Sequence, residues 1–309
     1  MIRYILKRIL QAVPLLLVIS FIVFTLIHLA PYDAIDAQIT SNMSQEEINI
    51  LREQSGLNKP FLIQYVDWLG QILSGNFGHS LVTHNSVGEE ILAKIPNTIS
   101  LVLPAYITAL IIAIVLGLLA AANKGKWQDK FIDAVASLGI ATPSFWIAMI
   151  FIYVLGYQLN LFPIIGMHTI GKEDDFGDFL SHFIMPYLTL TIVFFAELTR
   201  YVRSSALSQT NEEYVVVQQA FQATKTQIFT RHIIKNVLIP VITQVGMSLP
   251  MLVTGAIITE TVFSWPGIGP YITQATRALD YPIIMAVMLL SATLVIVGNL
   301  ISDILYSIV

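Results

Sequence analysis

The sequence predicts an all-α integral membrane protein with six transmembrane helices, an outer helical loop and an inner loop of short helices. Three observations carry this. First, 55% of the 309 residues are hydrophobic and only 12% are charged, against about 25% in soluble domains. A soluble chain this short cannot bury that much apolar surface. Second, six stretches reach the ~20 apolar residues that a bilayer core demands of a helix. Third, the basic residues segregate to one side of the resulting topology. Cysteine is absent, which excludes disulfides, thiolate metal sites and a cysteine nucleophile.

The six spans are Ile9–Ala30, Ile99–Ala122, Phe131–Tyr157, Phe183–Arg200, Val237–Phe263 and Pro282–Ile308. The chain divides accordingly into an N-terminus and first span (1–30), an outer loop (31–98) and a five-helix core (99–309) that carries the inner loop at about 201–236. The first span follows Arg3, Lys7 and Arg8 and so resembles a signal peptide. Its apolar run of about 20 residues exceeds the ~7–15 of a signal h-region and no small-x-small site follows, so it reads as a retained helix. Pro143 and Pro250 fall inside the third and fifth spans. Membrane helices tolerate proline where neighbours re-satisfy the freed carbonyl, so each reads as a kink.

With both termini in the cytoplasm, the inner segments hold Arg3, Lys7, Arg8, Lys124, Lys126, Lys130, Arg200, Arg203, Lys225, Arg231 and Lys235, 11 of the 16 basic residues. The acidic runs Glu46-Glu47, Glu89-Glu90 and Glu173-Asp174-Asp175 fall outside. This is the positive-inside pattern.

In the outer loop, Ser44 and Glu47 form a capping box for a short helix over Gln45–Gln54, and Gly56 is placed to end it. Pro60–Leu73 follows as an amphipathic helix with Leu62, Tyr65, Leu69 and Ile72 near one face. Tyr65 and Trp68 suit a membrane interface. The whole loop reads as a small cap over the outer mouth. In the inner loop, Glu212–Ala223 places Tyr214, Val217 and Phe221 on one face, and Lys225–Asn236 sets Ile228 and Ile234 among Arg231, His232 and Lys235. Two short helices joined by a bend fit this pattern, either lying on the headgroups or docking a cytoplasmic partner.

Ionisable groups at membrane depth are functional candidates by default. Glu197 lies three residues before Arg200, the spacing of a helical ion pair. Glu260, close to the Ser264–Gly269 turn, either faces a cavity or is solvated. Asp133 and Asp303 read as structural. The histidines His28, His79, His84, His168, His182 and His232 show no i,i+4 metal pair, so no metal ligand is assigned.

Several strings, in order along nearly the whole chain, resemble the permease subunits of the peptide/nickel family of ATP-binding-cassette importers. They are Arg3-Tyr4-Ile5-Leu6-Lys7-Arg8, Leu29-Ala30-Pro31-x-Asp33, Gly56-Leu57-x-Lys59-Pro60, Gly75-Asn76-Phe77-Gly78-x-Ser80, Gly117-Leu118-Leu119-Ala120-Ala121, Thr142-Pro143-Ser144-Phe145-Trp146, Phe263-Ser264-Trp265-Pro266-Gly267-Ile268-Gly269 and Asp280-Tyr281-Pro282. The inner loop resembles that family's ATPase-docking loop through Glu213-Tyr214-Val215, Ala220-Phe221-Gln222 and Arg231-His232 with Asn236 and Pro240. Gln222 stands where the family usually has glycine, which permits positive φ cheaply. Glutamine there means strain or a different bend.

The resemblance implies the type I permease fold of such importers, dipeptide- or oligopeptide-like. It also implies a second permease subunit to complete the pore, two cytoplasmic ATPase subunits, an extracytoplasmic substrate-binding protein and a bilayer, with no nucleic acid. ATP and magnesium belong on the ATPases, and no cofactor belongs on this chain, which has no Gly-x-x-x-x-Gly-Lys-Ser/Thr loop. Glu213, Tyr214, Val217, Ala220, Phe221, Gln222, Arg231, His232, Asn236 and Pro240 are the implied coupling residues. Glu260, Ser264, Trp265 and Glu197 are the candidates for the translocation path. The expected cargo is a di- or oligopeptide, with nickel or another metal chelate as the alternative. An intramembrane hydrolase would need His-Glu-x-x-His or Gly-x-Ser-x-Gly, and neither is present. An ion-coupled secondary transporter would favour internal repeats and mid-membrane carboxylates. No repeat is evident, and dependence on ATP and partner subunits is the discriminating observation. A sensor would need an output domain, and none is seen.

Overall fold

The structure is a computed structural model, and it describes residues 2–29, 43–54, 58–248, 251 and 256–308. Gly56, Pro250 and the Ala30–Asp33 string lie outside these residues. The elements are α1 (Ile2–His28), α2 (Gln45–Gln54), α3 (Phe61–Leu73), α4 (Val87–Ala122), α5 (Trp127–Ala141), α6 (Ser144–Phe151) running into a π-helical segment Ile152–Gln158, α7 (Phe176–Gln209), α8 (Glu213–Ala220), α9 (Lys225–Gln227), a second π-helical segment Ile228–Ile233, α10 (Ile234–Ser248), α11 (Ile257–Val262), α12 (Ile268–Arg277) and α13 (Tyr281–Ile308).

Among the described residues four helices are long and apolar enough to cross a membrane: Leu10–His28, Val87–Ala122, Phe176–Gln209 and Tyr281–Ile304. A fifth path is α5 with α6 and its extension, bent by 95°. The six continuous spans of the sequence reading are thus not all seen among the described residues. Pro143 does more than kink its helix. Thr142 before it is extended (φ −94, ψ 119) and Pro143 is the N-cap of α6, because the proline ring drives its predecessor out of the helical region. Among the described residues the fifth expected span is represented by α10 (Ile234–Ser248), by the helical Met251 and by the short α11.

Two spans are longer than expected. α4 has 36 residues and runs unbroken through residues 98 and 99, a length of about 54 Å at ~1.5 Å per residue. α7 has 34 residues. These two helices form the centre of the fold. On α4, Ala105, Ala109, Ala113, Gly117 and Ala121 recur every fourth residue and are buried. On α7, Leu190, Phe194, Leu198, Val202 and Ala206 do the same. A row of small side chains lets the backbones approach, and the row of large ones fills the groove. At Gly117 an added Cβ would lie 2.7 Å from Val202 Cγ1. α1 packs on α13 at the periphery.

Two clusters sit at opposite ends of this pair. One gathers Ala121, Val202, Ala206, Val215, Ile228, Phe229, Ile233, Val237 and Val241. The other gathers Val87, Ile91, Ile268, Tyr271, Ala275, Ile283, Ala286 and Val287. The capping box at Ser44 forms as expected: Ser44 N donates to Glu47 Oε2 at 2.7 Å and Glu47 N to Ser44 Oγ at 3.2 Å. Bonds from the Ser44 backbone and hydroxyl hold the Glu47 carboxyl below its ordinary value.

Candidate functional site

The first constellation is the bend between α8 and α9. Val215 is 3% exposed and anchors α8 into the cluster around Val202 and Phe229. The opposite side of α8 is open: Val216, Val217 and Phe221 are 59%, 49% and 79% exposed, and Glu213 and Ala220 are exposed beside them. Tyr214, expected on that face, instead turns partly inward and its hydroxyl donates to Gln209 Oε1 at 3.0 Å. Val216 takes its place on the exposed surface.

Gln222 adopts φ +60. The amide of Gln222 donates to Gln219 O at 2.9 Å and that of Ala223 to Gln218 O at 3.0 Å. These two bonds make the helix-ending turn normally built on a left-handed glycine. Glutamine therefore keeps the glycine geometry and carries the strain of a Cβ in the left-handed region, about 1 kcal/mol. Gln222→Gly is expected to relieve roughly that amount and to raise hydrogen-exchange protection of the Gln222 and Ala223 amides severalfold. Unchanged or lower protection would count against this account.

Past the bend, Thr224 forms a capping box with Gln227, with Thr224 N to Gln227 Oε1 at 2.9 Å and Gln227 N to Thr224 Oγ1 at 3.3 Å. The expected second short helix does not end at Asn236. It continues through the π-helical segment into α10, so the bend is joined directly to a long helix. Tyr214, Thr230, Arg231, His232, Lys235 and Asn236 line a groove of about 620 Å³ next to α8. Pro240 lies further along α10, where the Tyr201 hydroxyl donates to its carbonyl at 3.2 Å.

The second constellation is the turn between α11 and α12. Glu260 is fully buried, as is Trp265. Glu260 Oε2 accepts the Gly269 amide at 2.8 Å, and Thr98 Oγ1 accepts the Ile268 amide at 2.9 Å. A carboxylate at this position stabilises the first turn of α12 through its free N–H groups. Trp265 Nε1 donates to Asn97 O at 2.8 Å, and Asn97 Nδ2 to Pro266 O at 3.0 Å. The indole packs on Phe179 and Phe183, with ring centroids 5.9 and 6.3 Å away. Ser264 turns the chain at φ +51 and is exposed. Gly267 and Gly269 are required for space: a Cβ on Gly267 would collide with Glu260 Oε2 and Thr98 Oγ1, and one on Gly269 would lie 2.8 Å from Glu260 Oε2 and from Ile257 Cα. In this chain Glu260 and Trp265 are buried within the turn and brace it.

Glu197 stands apart from both constellations. It and Arg200 are each exposed, and the ion pair expected from their spacing does not form. The buried charge pair of this region is Asp129 with Arg203, which sequence reasoning missed. Arg203 Nε donates to Asp129 Oδ1 at 2.6 Å and Nη2 to Oδ2 at 3.0 Å, and the Gly125 amide adds a bond at 2.8 Å. Asp280 is a second missed residue: it accepts Ser80 Oγ at 2.5 Å and Leu81 N at 3.2 Å, which ties the loop before α4 to the start of α13. Asp178 holds Thr169 and lies 3.5 and 4.0 Å from Nδ1 of His182 and His168. Among the described residues no group of three His, Cys, Asp or Glu is arranged to hold a metal ion.

Comparison with known proteins identifies what such an assembly belongs to. Residues 113–309 match the family described as binding-protein-dependent transport system inner membrane component, and residues 1–102 match its N-terminal region. The oligopeptide transport system permease protein AppB of Bacillus subtilis is 38% identical over 310 residues, covering 100% of this chain and 98% of that protein. The dipeptide transport system permease protein DppB of Alkalihalophilus pseudofirmus is 33% identical over 325 residues, 99% of this chain and 98% of that one. The glutathione transport system permease protein GsiC of Salmonella typhimurium is 31% identical over 307 residues, 99% and 97%. With the family model spanning more than half of the chain and relatives matching it end to end, this chain belongs to the binding-protein-dependent transport system inner membrane components: it is a multi-pass membrane permease subunit of an ATP-binding-cassette transporter, and not an enzyme.

Proposed function

We propose that this chain is one of two pore-forming subunits of an importer that moves di- or oligopeptides across the bacterial cytoplasmic membrane. A substrate-binding protein delivers the cargo at the outer face, and two cytoplasmic ATPase subunits, which bind ATP and magnesium, supply the energy. Both termini and the α8–α9 bend lie on the cytoplasmic side, as the excess of Lys and Arg on that side supports. The peptide cargo is inferred from what the relatives transport. The metal-chelate alternative has no observation in its favour.

One observation carries the coupling role. The α8–α9 bend presents Val216, Val217 and Phe221 to solvent while Val215 locks it to both long helices. An exposed apolar knob fixed to a rigid base is the anatomy of a docking site, where a buried anchor contributes ~2 kcal/mol or more. Arg231, His232 and Lys235 flank the knob in the adjoining groove, so acidic residues on the ATPase would complement it.

The test is copurification from the native membrane. The unmodified chain should bring with it a similar multi-span protein and Walker-motif ATPases. A Val217→Asp/Phe221→Asp variant should insert normally and still hold the second permease. It should lose ATPase association by about 30-fold, the equivalent of ~2 kcal/mol, and with it ATP-driven uptake of a labelled tripeptide. Full ATPase retention in that variant would remove the coupling assignment. Uptake of a nickel chelate and not of the peptide would remove the cargo assignment.

A further inference from the structure

α3 is the least explained element of the fold. It has no buried residue, yet every residue in it except Gln64, Asp67, Gly70 and Gln71 is apolar. At 3.6 residues per turn its side chains fall into three stripes. Phe61, Tyr65 and Trp68 form an aromatic stripe, Leu62, Val66, Leu69 and Leu73 an aliphatic one, and Gln64, Asp67 and Gln71 a polar one.

The aromatic stripe is occupied by α1. Phe61, Tyr65 and Trp68 converge on Phe24, with ring centroids 5.5, 5.6 and 5.4 Å away. Phe61 also meets His28 at 4.9 Å, and the Tyr65 hydroxyl reaches Ser20 Oγ at 2.8 Å. The polar stripe holds the Lys59–Asp67 ion pair at 2.6 Å. The aliphatic stripe is open, with Leu62, Val66 and Leu73 at 64%, 63% and 80% exposure.

The contacts with α1 set the expected depth. α1 is long and apolar enough to cross a membrane over Leu10–His28. Phe24 lies four residues inside the His28 end, about 6 Å along the helix axis, and Ser20 about 12 Å. Helices that lie in a bilayer interface sink their apolar face ~5–10 Å into the boundary between headgroups and acyl chains. On the faces turned away from α3, α1 itself exposes an apolar surface of lipid type, where Val18, Ile22 and Leu26 are 55%, 49% and 62% exposed.

We propose that α3 is an interfacial helix sunk into the leaflet at the His28 end of α1, with Leu62, Val66, Leu69 and Leu73 against lipid acyl chains and its aromatic stripe clasping α1. Within the loop read as a cap over the outer mouth, this gives α3 the interfacial place that Tyr65 and Trp68 suit. The inference rests on the membrane span of α1 alone and is independent of cargo and of ATPase docking.

The absence of cysteine allows a clean test. Single cysteines at Leu62, Val66, Leu73, Asp67 and Gln71, all exposed positions, are nitroxide-labelled in the whole transporter and reconstituted in phosphatidylcholine/phosphatidylglycerol vesicles. Spin relaxation by oxygen, which concentrates in acyl chains, should exceed that by a water-soluble nickel chelate severalfold at positions 62, 66 and 73. The order should reverse at 67 and 71. Dominance of the chelate at all five positions would place α3 in water. Low collision rates with both reagents at 62, 66 and 73 would show a protein partner, such as the second permease, on that face. Either result overturns the proposal.

Discussion

Gly267→Ala is expected to collapse the turn that joins α11 to α12. The backbone at Gly267 is ordinary extended chain (φ −93, ψ −165), so the defect is one of space. The new methyl group would sit where Glu260 Oε2 and Thr98 Oγ1 already are. Over-packing of this kind costs about 1–3 kcal/mol. If the carboxylate is pushed off the Gly269 amide, the orphaned N–H adds ~1–3 kcal/mol. A loss of about 3 kcal/mol should appear as a lower unfolding midpoint of the complex and as faster exchange of the Ile268 and Gly269 amides. Glu260→Ala should be comparably harmful. The double variant removes the clash with Glu260, leaves the one with Thr98 Oγ1 and opens room for Thr98 to shift, so it should be less harmful than the sum of the two singles. Simple additivity would contradict the clash. This also separates a bracing role for Glu260 from one in the path. A cargo ligand would give Glu260→Gln an altered uptake KM at unchanged stability, whereas a brace gives reduced stability at unchanged KM.

The second large effect is expected at Arg203. The Asp129 side chain is only 5% exposed, and both of its oxygens are engaged by the guanidinium. Arg203→Met would leave a buried carboxylate held by the Gly125 amide. Breaking a buried pair from one side typically costs ~3–5 kcal/mol. With the Arg203 side chain 26% exposed, water can reach part of the site, and the lower end of that range is expected. Arg203→Lys should rescue little, because an ammonium cannot reproduce the two parallel bonds of the planar fork. Adding Asp129→Asn to Arg203→Met should restore most of the lost stability by removing the stranded charge. Titration into a denaturing detergent, followed by circular dichroism, measures all four proteins. Equal stability of Arg203→Met and the unmodified chain would show that the pair is solvated.

Much of this architecture was legible because hydropathy and helical spacing are local. The capping box at Ser44 and Glu47 and the helix after Pro60 were readable from neighbours within four residues, whereas the bend was placed at Gln222 by the family resemblance. The start of α4 was not, because Glu89, Glu90 and Lys94 dilute the apolar run. The period was nevertheless present in Val87, Ile91 and Ile95, which continue the helix outward from Thr98. The every-fourth-residue row from Ala105 to Ala121 was also in plain view and announces a close helix partner. The Asp129–Arg203 pair joins residues 74 apart, and nothing local to either one signals the other. Glu260 was read toward the translocation path for a physical reason. A lone carboxylate near a membrane span has a strong prior of function, but the glycines at 267 and 269 already signalled that something must approach that backbone closely. Gln222 was flagged as a departure, and only its backbone hydrogen bonds decided that the strained alternative was the real one.

The length of α7 has a mechanical meaning. Val202 and Ala206, near one end, sit in the cluster that grips the α8–α9 bend. Phe179 and Phe183, near the other, hold the Trp265 indole. Thirty-four residues of one helix make a lever arm of about 50 Å. Tilting such an arm by roughly 5° swings its far end through about 4 Å, more than the length of any hydrogen bond around Trp265. Within the arm Pro186 is the one residue without an amide to donate, and it lies between the two grips, so flexure there sets how much of the swing reaches Trp265. The stiffer that point, the more displacement passes from one constellation to the other with no relay of side-chain rearrangements between them.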